Sequence, residues 1–94
     1  MTVAETMRRK LEAALAPNRL EIEDQSHLHK GHAGHRPGGE SHFRVIIVAA
    51  GFAGKSRVER QRAVTAALKE EMGDPIHALS IKAMTPEEAA ADPR

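Results

Sequence analysis

Five of the six histidines, His27, His29, His32, His35 and His42, fall between positions 27 and 42, and the sixth, His77, stands alone further on. Neutral imidazole is the commonest side-chain ligand for transition metals and suits zinc, copper, iron and nickel. The first four follow the spacing H-x-H-x2-H-x2-H in a stretch that also carries Gly31, Gly34, Pro37, Gly38 and Gly39. Such a loop can turn one or two rings outward, whereas a strand would commit them to one face. The same composition also suits an ordinary solvated loop that is rich in histidine. His77 admits two readings as well. It is either a half-buried ring bonded to a carbonyl, or an imidazole at a sheet end within reach of the histidine loop. A pair of imidazoles is half a metal site, and with no cysteine in the chain the missing ligands would have to come from a partner. His42, beside Phe43 at a strand start, reads as structural. Asp24, just ahead of the loop, suits a residue that orients an imidazole rather than a catalytic one.

A second cluster is cationic. Lys55, Arg57, Arg60 and Arg62 follow the turn Gly51-Phe52-Ala53-Gly54. A Gly-x-x-Gly turn beside basic residues is how KH domains approach a phosphate backbone. Here the glycines follow a strand directly and also serve simply to turn it. Glu59, Glu70 and Glu71 dilute the charge, and a formal net charge of +1 gives no global pull toward nucleic acid. Phe43 and Phe52 are the only aromatics, which argues against a platform for stacking bases. No Ser/His/Asp, paired-carboxylate or phosphate-cradle arrangement stands out, and so small a chain leaves little room for a closed pocket. The reading is of a non-enzyme.

These residues need elements to position them. The 94 residues are 40% hydrophobic and 29% charged, which fits one globular domain over 1–94. No apolar run approaches the roughly 18–20 residues of a membrane span. Glu5 and Glu12 interrupt the first stretch, so it does not read as a secretory signal. The expected location is cytoplasmic, without membrane contact.

Thr2 and Glu5 form a capping-box pattern that opens a helix to Leu15, with Val3, Met7, Leu11 and Leu15 as its apolar stripe. Pro17 and Asn18 stop it. Leu20 to Glu23 alternates as a half-buried strand, and His27 to Gly39 is the loop. His42 to Ala50 is apolar on both faces, the mark of a central strand. Ser56 and Glu59 begin a second helix to Met72, with Val64, Ala67, Leu68 and Met72 inward and Gly73 as its C′ residue. Ile76 to Met84 makes a third strand with His77, Leu79, Ile81 and Ala83 on one face. Thr85, Pro86 and Glu87-Glu88 predict a short helix in a terminal segment, 86–94. The class is α/β (α+β), ordered α-β-β-α-β-α, with helices on one face of a three-stranded sheet.

Several of these strings together are similar to the BolA family. They are Leu20-Glu21-Ile22-Glu23-Asp24-Gln25-Ser26, the histidine loop, and Gly39-Glu40-Ser41-His42-Phe43-Arg44-Val45. To these add Phe52-Ala53-Gly54-Lys55 leading to Arg60-Gln61-Arg62-Ala63-Val64, and His77-Ala78-Leu79-Ser80-Ile81. The resemblance runs over residues 3–88 and departs from the family's pattern at Gln61, Thr65 and Ala89.

The resemblance implies a class II KH-like fold. It also implies partnership with a monothiol glutaredoxin in iron–sulfur cluster handling, or a role in bacterial transcription and morphology. By that resemblance a [2Fe–2S] cluster would be shared among the glutaredoxin cysteine, glutathione and two ligands from this chain, which alone would not bind it tightly. His77 matches the family's C-terminal ligand. His29 best matches the loop ligand counting from Ser26, and the longer loop leaves His32 and His35 open. Imidazole in place of thiolate makes such a cluster less negative, raises its potential and makes its ligation proton-sensitive. DNA, through Lys55, Arg57, Arg60 and Arg62, is the alternative partner. Whether the free chain pairs with itself stays open.

Overall fold

The computed structural model describes residues 2–25 and 41–92. Its elements are α1 (Val3–Leu15), β1 (Arg19–Asp24), β2 (His42–Val48), α2 (Arg57–Ala67), β3 (Ala78–Met84) and α3 (Pro86–Ala91), with a 3-10 turn over Ala50–Phe52. The expected order is present. All three helices start in a reciprocal capping box, Thr2 with Glu5, Ser56 with Glu59 and Thr85 with Glu88. In each, two backbone N–H groups that the helix leaves without partners are satisfied locally.

The sheet order is β1-β2-β3. β1 and β2 are antiparallel, with Leu20 opposite Ile47 and Asp24 opposite Phe43. β2 and β3 are parallel, with His42 opposite Ala78 and Val48 opposite Met84. A parallel pair needs a long crossover, and the turn and α2 supply it. Phe43, Val45 and Ile47 face Met7 and Leu11 of α1, Val64 of α2 and Leu68 just beyond it, and Leu20, Ile22, Leu79 and Ile81 pack around them. Each large side chain buried there contributes about 1.5–3 kcal/mol. Because β2 is apolar on both faces, its second face also needs a cover. Ile46, Val48 and Met84 meet Ala89 of α3 there, so the two long helices share one face and the short third helix caps the other.

The second helix is shorter than the periodicity predicts. It ends at Ala67, and the following residues wind more tightly. The Leu68 N–H reaches both Val64 O and Thr65 O at 3.2 Å, and the Glu71 N–H reaches Leu68 O at 2.9 Å. Met72, expected inside, is 37% exposed, and Ile76 is fully buried in the same core. Gly73 adopts φ +93°, a conformation that favours glycine, and its N–H donates to Ile76 O at 2.7 Å. The turn thereby folds Ile76 back into the core, and the inward position that the helical pattern assigns to Met72 passes to Ile76. Lys10 of α1 pins this turn from outside, 2.6 Å from both Glu70 and Glu71. No described helix is long and apolar enough to cross a membrane.

Candidate functional site

The third strand begins at Ala78, two residues later than the sequence pattern suggests, and this decides where His77 points. Ile76 turns inward and makes an isolated bridge with Met72, so its neighbour His77 is left exposed. The ring therefore does not join Leu79 and Ile81 against the core. Its backbone is nevertheless fixed. The His77 N–H donates to Ser41 O at 2.7 Å, and the Ala78 N–H reaches the same carbonyl at 3.3 Å.

Ser41 is fully buried and His42 is 9% exposed. The Ser41 hydroxyl and His42 Nδ1 share a hydrogen bond of 2.8 Å. The His42 ring lies 6.3 Å from the His77 ring between centroids, tilted by 34°, within the range of ordinary aromatic pairs. On the other side of β2, the Gln25 N–H donates to His42 O at 2.7 Å. Gln25 and Ser41, the described residues on either side of 26–40, thus both stand at the sheet end that carries His77. His27, His29, His32 and His35 lie outside the described residues. Among the described residues no three His, Cys, Asp or Glu side chains gather as a metal site. His77 is the ring offered to solvent, and His42 is the ring behind it.

His42 reads from the sequence as structural, and it is buried. Its contact with His77 was not legible, because the two residues are 35 positions apart (77 − 42) and meet only through the parallel register. A histidine aligned with the start of a neighbouring strand was the one available signal.

The basic cluster divides. Arg60 is 13% exposed, and its guanidinium grips Glu88 at 2.5 Å. It also donates to Lys55 O at 3.0 Å and Ala83 O at 3.3 Å, and lies 6.0 Å from the centre of the Phe52 ring. It joins α2 to β3 and α3 and is committed inside the fold. Lys55, Arg57 and Arg62 remain exposed. Gly54 turns the chain ahead of them with φ +79°. Arg57 also borders a groove between α2 and β3, where Lys82 is held by Asp92 at 2.6 Å.

Glu88 shows the electrostatic side of this arrangement. The Arg60 guanidinium, and after it the Thr85 N–H, hold its carboxyl below the ordinary glutamate range. Glu59 is likewise lowered, by the backbone and then the side chain of Ser56. Both shifts serve the caps and the α2–α3 tie, and neither carboxylate faces His77's end of the sheet.

A family model described as BolA-like protein matches residues 11–88. The human BolA-like protein 1 is 50% identical over 84 residues, covering 89% of this chain and 58% of that protein, so the chain spans a little over half its length. The DNA-binding transcriptional regulator BolA of Haemophilus influenzae is 36% identical over 88 residues, covering 94% of this chain and 82% of that protein. Among solved structures, BolA1 from Arabidopsis thaliana superposes with a TM-score of 0.82 at 42% identity, covering 94% of this chain and 96% of that one. With the family model matched over most of its length and these relatives and structures alike in sequence and fold, the chain belongs to the BolA-like family.

Proposed function

We propose that this chain is a cytoplasmic adaptor, not an enzyme, which docks on a monothiol glutaredoxin and lends imidazole ligands to a [2Fe–2S] cluster shared with the glutaredoxin thiol and glutathione. His77 would be one ligand, and one of His29, His32 and His35 the other. The observation that carries this reading is the exposed His77 ring on an anchored backbone, backed by His42 and beside both flanks of the histidine loop. One prepared imidazole with no complete ligand set among the described residues fits a site that two proteins build together. Imidazole ligation would give such a cluster a higher potential than thiolates alone.

The test is anaerobic reconstitution with a monothiol glutaredoxin, glutathione and iron, followed by visible circular dichroism. Adding this chain should change the spectrum of the glutaredoxin-only cluster. His77→Ala should abolish that change, and alanine at one of His29, His32 or His35 should do the same. A spectrum indifferent to His77 would overturn the assignment.

A second reading is favoured by exposed Lys55, Arg57 and Arg62 behind the Gly54 turn, together with the likeness to the DNA-binding transcriptional regulator BolA of Haemophilus influenzae. On it the chain binds DNA through phosphate contacts, with affinity that falls steeply as salt rises. Arg57→Ala and Arg62→Ala would then weaken binding to duplex DNA while His77→Ala leaves it unchanged.

A further inference from the structure

We infer that His42 is the positioning residue for His77: a buried imidazole that sets the direction of the exposed one. The inference rests on the cluster-adaptor reading and adds a residue to it.

An exposed side chain at the start of a strand has several rotamers open to it, and a ligand whose ring wanders binds metal poorly. His77 has a fixed backbone through Ser41 O, but a main-chain hydrogen bond does not choose a ring direction. The only described ring beside it is His42, at 6.3 Å and 34°. His42 is itself held twice. It is almost wholly enclosed by the sheet end, and its Nδ1 is bonded to a serine hydroxyl that is fully buried. One residue, Ser41, therefore serves both histidines, holding the backbone of His77 with its carbonyl and the ring of His42 with its hydroxyl. The role is that of an outer-shell support, exerted here by ring contact, which orients a ligand without touching the metal.

The placement of the two residues explains why a histidine stands here. His42 opens the central strand opposite Ala78, so any side chain there lies against the turn carrying His77. A flat ring with a polar edge fills that position, packs beside the second imidazole and leaves no buried polar atom without a partner on the Ser41 side.

The experiment compares His42→Ala, His42→Phe and wild type in two settings. In the isolated chain, nuclear magnetic resonance reads the His77 side-chain couplings and the ring-to-ring contact, with the amide spectrum as a check that the fold persists. Wild type should show one dominant His77 rotamer. His42→Ala should average it, and His42→Phe, which keeps a ring, should largely restore it. In the reconstituted glutaredoxin complex, His42→Ala should lower cluster affinity roughly tenfold or more, as for loss of an outer-shell partner, and His42→Phe should recover most of it. The nitrogen hyperfine couplings of the reduced cluster should be equal in number in wild type and His42→Phe.

An unchanged His77 rotamer in a folded His42→Ala variant overturns the inference. So does a coupling lost in His42→Phe, which would make His42 a ligand itself. Should His77→Ala leave the cluster spectrum untouched, the adaptor reading fails by itself, and the rotamer measurement still judges the positioning claim separately.

Discussion

The two ends of the described structure both concentrate residues that could bind something, and they treat them in opposite ways. At the histidine end the buried Ser41 and His42 lie against the one exposed histidine among the described residues, His77. At the basic end the best-anchored residue, Arg60, is turned inward onto Glu88, Ala83 O and Phe52, and the exposed cations around it have no comparable support. A group that is exposed while its neighbours are buried and bonded has its entropy of ordering already met by the fold. A group that is exposed among other exposed groups must be ordered by its ligand. Clustering in sequence looked similar in the two places. The distribution of burial separates them.

The largest perturbation of this contrast is at Phe52, which is buried beneath Arg60. Phe52→Ala should cost about 3–5 kcal/mol in urea unfolding. In the protein that remains folded, the His42–His77 ring contact should persist. Its disappearance would mean that the two ends are one cooperative device rather than two.

A smaller effect distinguishes the arginines from one another. Arg60→Ala removes a charged pair, two backbone contacts and a ring contact, and should cost about 1–2 kcal/mol. Arg57→Ala and Arg62→Ala should stay within about 0.5 kcal/mol of wild type. Equal losses at all three would erase the division of the cluster drawn above.

The smallest effect is a pH dependence. The bond from Arg60 holds Glu88 below its ordinary range, so the folded state binds its proton less readily than the unfolded chain does. Its stabilising contribution is present above the unfolded value of about 4.3 and is lost as pH falls through the lower folded value. Glu88 is solvent-exposed, so the contribution is screened and small. Glu88→Gln should flatten that part of an acid-unfolding profile. Superimposable profiles would show that Arg60 is held by its backbone and ring contacts alone.

Much of this was legible in the chain because it rests on local rules. Thr2 with Glu5 and Ser56 with Glu59 announce their helices, and Thr85 with Pro86 announces the last. The double-sided apolar run after His42 announces the central strand. Where reading failed, a non-local contact had overruled the pattern. The helical spacing that ran through Leu68 to Met72 is correct to Leu68. Beyond it the chain turns at Gly73, and Ile76, fully buried, joins the core beside Leu68.

That displacement also decided the candidate site. A strand beginning at Ile76 would have placed His77 with Leu79 against the helices. A strand beginning at Ala78 leaves His77 outside and facing His42.

The order of the elements, their caps and the kinds of side chain on offer follow from the chain alone, because capping, periodicity and side-chain chemistry act over a few neighbouring residues. Folding in three dimensions is what leaves His77 exposed against a buried His42 and withdraws Arg60 from solvent. Those outcomes depend on strand register and on competition for the core between residues far apart in the chain.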